Sequence, residues 1–265
     1  MAGPKKVAIA GAGIAGLAAA VALARNGFDV SVFERAGQIK EIGAGLQVGP
    51  NAAAALETIG AWQAVAPVTH APRAVVIRDG QTGRQLASMA LGEDFAARFG
   101  KPYRVALRAD LLGALLDVAR GMVNIEIHTG AVVTGVSKRG QTALTFTRRE
   151  TEPADIAIGA DGIRSAVRNQ LEPGRLISTA GHTIFRALIP ADHAPAEVDT
   201  ENVTLWLYPR GHVVHYVVPG ARLNVVAVHQ TAANLSGWNT VADGHEVARC
   251  FSRACNGLAD LLAVI

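Results

Sequence analysis

The glycine-rich turn near the N-terminus constrains this fold more than any other feature of the sequence. An apolar run at residues 7–10 leads directly into Gly11-Ala12-Gly13-Ile14-Ala15-Gly16, and an Ala/Leu-rich stretch follows and ends at Asn26-Gly27. This order predicts a strand, a tight turn and a helix. Residues 29–34 predict a second strand that ends at Glu34, so the segment forms a complete βαβ unit.

The glycine spacing indicates a dinucleotide site. Gly11 permits the tight turn, Gly13 lets a pyrophosphate approach the backbone, and Gly16 lets the helix pack closely on the strand. The first N–H groups of the helix and its dipole favour an anion at this end. Glu34 is placed to accept hydrogen bonds from an adenosine ribose and disfavours a 2′-phosphate. The alternatives are a glycine turn that binds nothing and, for Glu34, a solvated strand end.

Composition excludes several classes of protein. The chain has 265 residues, of which 50% are hydrophobic and 18% charged, so we expect a folded chain with a sizeable core. Its net charge of +3 is spread without runs of like charge and indicates no nucleic-acid partner. Cys250 and Cys255 are expected to be reduced, buried helix residues of a cytoplasmic protein. No cluster of residues has metal-ligand spacing, so no metal centre is predicted.

A membrane segment is the main alternative for the N-terminal region. Residues 7–24 carry no charge and follow Lys5 and Lys6, which resembles a signal peptide or a short transmembrane span. The glycine spacing favours the βαβ interpretation instead, and we expect no membrane span.

The middle of the chain contains two further segments of interest. Residues 42–51 predict a second glycine-rich loop, followed by a helix at 52–59. A strand at 155–159 runs into Asp161-Gly162-Ile163-Arg164-Ser165 and a short helix, which places a carboxylate beside the first glycine turn.

Other elements follow from periodicity. They are a helix at 108–120, a strand at 124–128, a hairpin of residues 131–137 and 142–148 turned at Arg139-Gly140, and strands at 182–190, 203–208, 211–218 and 223–229.

Several of these stretches resemble the single-component flavin-dependent aromatic hydroxylases, the family that includes salicylate and hydroxybenzoate hydroxylases. The glycine turn with Glu34-Arg35, the segment Arg108-Ala109-Asp110-Leu111 and residues 155–168 carry the resemblance, and residues 45–51 are similar to the family's loop beside the isoalloxazine ring. The resemblance implies FAD as the bound cofactor. The cofactor-binding residues that it implies are Gly11, Gly13, Ile14, Ala15, Gly16, Glu34, Arg35, Gly45, Leu46, Arg108, Asp161, Gly162 and Arg164.

The resemblance also implies an α/β fold of two domains. The FAD-binding domain is Rossmann-like, with its βαβ unit, and is expected at 1–72 and 99–178. A second, mainly antiparallel β-sheet domain for the substrate is expected at 73–98 and 179–265.

A histidine and a tyrosine are the candidate catalytic residues. In the strand at 211–218, His212 and Tyr216 lie on one face and His215 on the other, because side chains alternate along a strand. The spacing of His212 and Tyr216 matches a family pair that contacts the phenol, which favours His212 over His215. The alternative for either histidine is a core residue with satisfied hydrogen bonds. Further candidate substrate contacts are Gln47, Arg186 and Trp206.

The mechanism implied by the resemblance is aromatic hydroxylation. NADH or NADPH reduces FAD, O2 then forms a flavin C4a-hydroperoxide, and its distal oxygen is transferred to a small phenolic acid. His212 would remove or share the phenolic proton, Tyr216 would orient the ring, and Arg186 or another, unidentified donor would hold a carboxylate. A homodimer is a further expectation.

One departure from the family pattern is expected to limit activity. The family's second flavin motif, a Gly-Asp pair followed by Ala-Ala-His, is absent, and the sequence ends with the apolar residues 261–265. We expect a truncated chain that exposes apolar surface and binds flavin weakly. The alternatives are an inactive dinucleotide-binding fragment and another flavoprotein on the same scaffold, such as a reductase or halogenase. An NAD-dependent dehydrogenase is disfavoured by residues 43–50 and 155–168.

Overall fold

The computed structural model describes residues 5–40, 44–137, 142–147, 151–231, 241 and 244–265. The chain divides into two compact units. The first unit comprises Met1–Ile42, Ala55–Pro67 and Ala109–Ile177, and the second comprises Gly43–Ala54, Val68–Arg108 and Ser178–Ile265.

Strands and helices alternate in the first part of the chain, and strands dominate the last third. The strands are β1 (Lys6–Ala10), β2 (Asp29–Glu34), β3 (Gly45–Val48), β4 (Thr69–His70), β5 (Ala74–Asp79), β6 (Gln85–Ala90), β7 (Arg104–Leu107), β8 (Ile125–Thr129), β9 (Val133–Ser137), β10 (Ala143–Phe146), β11 (Glu152–Pro153), β12 (Ile156–Gly159), β13 (His182–Pro190), β14 (Val203–Tyr208), β15 (Gly211–Val218) and β16 (Arg222–Gln230). The helices are α1 (Ile14–Arg25), α2 (Pro50–Thr58), α3 (Trp62–Val65), α4 (Glu93–Phe99), α5 (Arg108–Arg120), α6 (Ala166–Leu171), α7 (Gly244–Cys250) and α8 (Asn256–Ala263).

The first unit is built on a parallel sheet with the order β12-β1-β2-β8. Strand β1 is buried from Val7 to Ala10, and Leu17 of α1 is fully buried as well. The predicted βαβ unit is therefore confirmed. Residues 7–24 form a strand, a turn and a helix, and no described helix is long and apolar enough to cross a membrane.

A second sheet of the first unit has the antiparallel order β11-β10-β9. Strands β9 and β10 are the two arms of the predicted hairpin, whereas its turn at Arg139-Gly140 lies outside the described residues. Leu144 of β10 packs in a cluster with Phe33 of β2 and Val167 of α6. The strand and short helix expected around Asp161 are also present, as β12 and α6.

The second unit is built on a six-stranded sheet with the order β13-β16-β15-β14-β5-β6. All its pairs are antiparallel except β14 with β5. The four strands predicted between 182 and 229 are confirmed, and so is the mainly antiparallel character. Helices α7 and α8 cover one face, where Val213, Leu223 and Leu258 are fully buried.

A small sheet with the order β3-β7-β4 lies in the second unit. The prediction of a second glycine-rich loop is wrong, because residues 45–48 form β3 and pair with β7, Gly45 opposite Leu107. Residues 42–43 lie outside the described residues. The helix after this segment begins at Pro50 and not at 52. Residues 45–48 form a strand because they make backbone hydrogen bonds to β7, which is distant in the sequence. The local glycine content does not indicate this pairing.

The compact units differ from the expected domain edges at residues 43–54, 68–72, 99–108 and 178, which group with the second unit. The physical reason is that β3, β4 and β7 pair with one another, and β7 packs against the Tyr216 side of β15. The assignment of an FAD-binding and a substrate domain stays a prediction.

One expectation about the end of the chain needs correction. Cys250 and Cys255 are unpaired as expected, but both are half-buried, and Cys255 precedes α8 as its N-cap instead of lying within a helix. Leu261 and Leu262 are buried under the sheet. Apolar surface is exposed elsewhere, at Ile184 and other positions.

Candidate functional site

The three glycines of the first turn have different surroundings. Gly11 has φ +98°, and a Cβ there would fall 2.5 Å from the carbonyl oxygen of Ala160. A Cβ at Gly16 would collide with the carbonyl oxygen of Gly11. At Gly13 a Cβ would meet nothing within 4 Å. Gly11 and Gly16 therefore serve internal packing, while Gly13 leaves the open space that an approaching phosphate requires.

The N-terminus of α1 is open to an anion. Gly13 is its N-cap, no side chain caps it, and its first turn contains no acidic residue. The N–H of Leu17 already bonds to the carbonyl of Gly13 at 2.9 Å. The preceding N–H groups, at Ile14, Ala15 and Gly16, belong to the turn that has no intrahelical acceptors. These are the backbone groups expected from the sequence to bind phosphate.

Glu34 is fixed beside this turn by backbone hydrogen bonds. Its Oε2 accepts from the N–H of Ala12 and its Oε1 from the N–H of Ala36, both at 2.9 Å. Each carboxylate oxygen has a second lone pair, so two acceptor positions remain for ribose hydroxyls. The neighbouring Arg35 is exposed. The geometry fits the predicted ribose contact.

Asp161 lies next to the glycine turn, as expected from the sequence. The N–H of Ala160 donates to the carbonyl of Ala10 at 2.8 Å, and a Cβ at Gly11 would be 3.1 Å from the Cα of Asp161. Its carboxylate accepts from the hydroxyl of Ser165 at 2.5 Å and from the N–H of Ala166 at 2.7 Å. The carboxylate thus supports the start of α6.

The two residues of this turn that were also expected to bind the cofactor are accessible. Gly162 has φ +79°, and both Gly162 and Arg164 are exposed. Cofactor contacts of Asp161, Gly162 and Arg164 stay predictions.

His215 is a core residue of the second unit. It is fully buried on the helix-covered face, its Nδ1 accepts from the indole N–H of Trp206 at 3.2 Å, and its Nε2 lies 3.1 Å from the carbonyl of Asp199. Burial lowers the pKa of His215 to about 4. The imidazole is therefore neutral and has a fixed tautomer.

Trp206 lies on this same helix-covered face. It is buried, it pairs across the sheet with Val213, and the guanidinium of Arg78 lies 5.7 Å from its ring. Alternation along β14 places it opposite the face that carries His212 and Tyr216. The structure thus separates this candidate substrate contact from the others.

His212, Tyr216 and Arg186 share the other face of the sheet. Across β15, β16 and β13, His212 is in register with Val228 and Ile184, Val214 with Val226 and Arg186, and Tyr216 with Asn224 and Leu188. We call the part formed by Ile184, Arg186, Leu207, His212 and Val214 the open face. Ile184 and Leu207 are 50% and 44% exposed there.

Tyr216 borders the open face and is itself only 2% exposed. It packs with Val105, Leu107, Val203 and Val218. It is four positions further along β15 than His212, which corresponds to about 13 Å of extended chain.

Strand β3 lies against the Tyr216 end of the sheet. The N–H of Gly45 donates to Oδ1 of Asn224 at 2.7 Å, and a Cβ at Gly45 would be 2.8 Å from the hydroxyl oxygen of Tyr216. The hydroxyl of Tyr103 donates to Oε1 of the exposed Gln47 at 2.5 Å. Sequence reasoning missed Asn224, although a single amide within the apolar run 223–228 is a visible signal.

The two tyrosines here are protonated phenols at neutral pH. Burial raises the pKa of Tyr103 to about 12. Burial and, second, the proximity of Tyr103 raise the pKa of Tyr216 further. Each phenol can donate a hydrogen bond, and neither is suited to accept a proton.

The remaining predicted flavin contacts of this unit are at least partly accessible. Leu46 is half-buried in β3 and the side chain of Arg108 is exposed. The backbone N–H of Arg108 donates to the carbonyl of Ala44 at 2.8 Å. In the described part of the chain, no group of three His, Cys, Asp or Glu side chains could hold a metal ion.

Comparison with known proteins identifies the family. Residues 5–257 match the model of the FAD binding domain family. The chain belongs to this family. The resemblance inferred from the sequence motifs is therefore confirmed, and FAD is the family's cofactor.

The similar proteins of the FAD-binding family include named aromatic hydroxylases. A 3-amino-4-hydroxybenzoate 2-monooxygenase of Streptomyces platensis is 37% identical over 80% of this chain and 53% of its own length. A 3-hydroxybenzoate 6-hydroxylase of Polaromonas naphthalenivorans is 33% identical over 94% of this chain and 62% of its own length. The chain thus spans just over half to under two thirds of these relatives.

A solved structure confirms the fold of the FAD-binding family. HpxO of Klebsiella pneumoniae, as a single-residue variant in complex with FAD, superposes with a TM-score of 0.85 at 25% identity. The match covers 98% of this chain and 66% of HpxO.

Proposed function

We propose that this chain carries the FAD and substrate sites of an aromatic monooxygenase that uses NADH or NADPH and O2. Its substrate class is a small aromatic acid with a phenolic hydroxyl. The names of the similar 3-hydroxybenzoate and 3-amino-4-hydroxybenzoate hydroxylases support the substrate class. The observation that carries the proposal is the open face, where an otherwise apolar surface presents one imidazole and one guanidinium.

The residues of the first unit fit the adenosine and pyrophosphate parts of FAD. Gly13 and the N–H groups that begin α1 would hold the phosphates, and Glu34 would hold the ribose. When bound, FAD supplies the electron transfer and oxygen activation that side chains cannot perform. In the second unit, β3 would border the flavin ring, because residues 45–51 resemble the family's segment beside that ring.

The open face supplies proton transfer, orientation and exclusion of water. His212 would accept the phenolic proton, which makes the ring more electron-rich. Arg186 would hold the carboxylate through its two-pronged guanidinium. Ile184, Leu207 and Val214 would keep water from the reacting ring. Tyr216, a protonated phenol at the border of the open face, would donate a hydrogen bond that orients the substrate.

The test combines flavin retention with turnover. The purified protein is mixed with FAD and gel-filtered, and its visible absorbance is recorded. Nicotinamide oxidation and hydroxylated product are then measured with 3-hydroxybenzoate. We expect part of the flavin to be retained, and we expect His212→Ala to lower product formation about 100-fold or more while the retained flavin absorbance stays the same.

Val214→Ala is the matched control, because Val214 lies on the same face and carries no proton-accepting group. It is expected to change turnover by less than tenfold. A protein that FAD cannot colour, or an active His212→Ala variant, would contradict the proposal.

We also propose a homodimer in the cytoplasm. The free thiols of Cys250 and Cys255 support a reducing compartment. Strand β6 ends the six-stranded sheet with all six residues exposed, which offers an edge for association. Light scattering on the purified protein measures the oligomeric state.

A further inference from the structure

Asn224 occupies a position in β16 where an amide is costly. It is 0% exposed, and its strand neighbours Leu223 and Val225 are equally buried. Removing an amide from water costs free energy unless both its oxygen and its nitrogen find partners. The hydrogen bonds of Asn224 therefore indicate what this side chain contributes.

The amide of Asn224 is only half satisfied. Its Oδ1 accepts from the N–H of Gly45 at 2.7 Å. Its Nδ2 is buried and has no hydrogen-bond partner in the described structure. A leucine, which branches at the same carbon atom, would leave no unpaired donor, so the stability of the sheet does not require an amide here. What it provides is a tie between β16 and β3.

The hydrogen bond between Gly45 and Asn224 requires a residue without a side chain at position 45. A Cβ at Gly45 would lie 2.6 Å from Cγ of Asn224 and 2.8 Å from the hydroxyl oxygen of Tyr216. The φ of Gly45 is not positive, so its backbone conformation does not require glycine. Glycine is required because neighbouring atoms occupy the space of a side chain. The backbone of β3 therefore lies in direct contact with both side chains.

Strand β3 depends on such a tie. It has four residues, it ends a three-stranded sheet, and its pairing partner there is β7. A short edge strand held along one side moves easily unless another group anchors it. The bond from Gly45 to Asn224 supplies the second anchor, and it comes from the large sheet.

We propose that Asn224 is a positioning residue that holds β3 at a fixed distance from the six-stranded sheet. Through Gly45 it sets the place of the backbone that receives the flavin ring. The inference rests on the proposed function, which places the ring beside β3. Asn224 itself touches neither flavin nor substrate in this role.

The test uses Asn224→Leu, which fills the space without an acceptor. We expect the Gly45 amide to exchange with solvent at least tenfold faster, and the FAD dissociation constant to rise about tenfold. The thermal midpoint is expected to change little, because the loss of the unpaired Nδ2 donor offsets the loss of the acceptor for the Gly45 N–H. Val225→Ala, on the other face of β16, is the control: it lowers the midpoint and leaves Gly45 exchange and FAD affinity unchanged.

A reciprocal pair of variants keeps the test independent of one substitution. Gly45→Ala adds the colliding Cβ and is expected to weaken FAD binding at least tenfold, whereas Gly92→Ala, with no atom near its Cβ, is not. Adding Asn224→Ala to Gly45→Ala removes two of the three nearest contacts and is expected to recover part of the affinity.

Unchanged Gly45 exchange in Asn224→Leu would overturn the tie. Faster exchange with unchanged FAD affinity would overturn the positioning role while the proposed function stands. A wild-type protein that binds no FAD would refute the proposed function and with it the positioning of the flavin ring, and the tie would still be decided by Gly45 exchange.

Discussion

At the residue scale, the motif Gly11 to Gly16 contains glycines of two kinds. Gly11 and Gly16 have no room for a side chain, because backbone atoms occupy the Cβ positions. Gly13 has room in the structure and is required only by what would approach it. The motif assigns a separate role to each of the three glycines. In the structure, Gly11 and Gly16 are required for folding, and Gly13 has the space that a bound phosphate would use.

Gly13→Ala should therefore separate binding from folding. The free energy of unfolding is expected to fall by no more than about 1 kcal/mol, because Gly13 is the N-cap of α1 and Ala is a poorer N-cap than Gly. FAD affinity is expected to fall at least tenfold, because the methyl group occupies the phosphate's space. Fluorescence titration and thermal unfolding measure the two quantities. Gly11→Ala should instead lower the free energy of unfolding, because alanine is strained at the φ of +98° that Gly11 adopts. If Gly13→Ala bound FAD as tightly as the wild type, that result would argue against this phosphate site.

His215 should make the stability of the second unit depend on pH. Its pKa is about 4 in the folded protein against 6.5 for a free histidine, so the unfolded chain binds more protons between these values. The stabilisation is complete above pH 6.5 and is lost as pH falls towards 4, by up to about 3 kcal/mol. Urea unfolding from pH 7.5 to 4.5 measures this slope.

The control for this pH dependence is His215→Gln, which cannot gain the proton. Its stability should fall less steeply over the same range, whatever its absolute value. An imidazole resonance of His215 that titrates near 6.5 in the folded wild type would refute the explanation.

At the element scale, α6 illustrates how a turn motif builds local structure. Asp161 accepts from the hydroxyl of Ser165 and the N–H of Ala166, and the hydroxyl oxygen of Ser165 accepts from the N–H of Arg168 at 2.9 Å. These bonds satisfy donors at the start of a six-residue helix that has few bonds of its own.

Asp161→Ala should therefore destabilise α6. We expect a loss of about 1–2 kcal/mol in unfolding free energy and faster amide exchange at Ala166. Arg164→Ala, in the same turn but exposed, is the matched control and should change stability by less than about 0.5 kcal/mol. Equal stability of Asp161→Ala and the control would show that the carboxylate is not needed as a cap.

Long periodic elements could be predicted, and short paired ones could not. The strands at 203–208 and 211–218 have the predicted bounds. Their side chains are buried alternately, so the hydrophobic residues of their sequence recur with a period of two. Strand β3 reads as a loop, because its strand character depends on β7, more than 50 residues further along the chain. No local pattern encodes that partner.

At the scale of the whole molecule, each unit has a core of its own. The first contains Phe33 and Leu144, and the second contains Leu223 and Leu261. Each core is built on a separate sheet. A substitution that destabilises one core is therefore expected to increase local unfolding in its own unit first.

Leu261→Ala should destabilise the second unit. Leu261 is fully buried under the six-stranded sheet, so its truncation is expected to cost about 2–5 kcal/mol. Amide exchange should accelerate more in β15 and β16 than in β1 and β2. Leu17→Ala, fully buried in the first unit, should show the opposite pattern, and identical patterns for both variants would refute separate cores.

The sequence by itself determined the βαβ unit, a dinucleotide site and the four long strands, because periodicity and glycine spacing are local properties of the chain. The family and its cofactor followed from the resemblance of several motifs to known flavin-dependent hydroxylases. Only the tertiary structure decided that His215 and Trp206 lie in a core, and that His212 and Arg186 share an open face. It also brought Asn224 to Gly45, 179 residues away. Such contacts depend on which strands pair and which face a helix covers, and these are properties of the packed molecule.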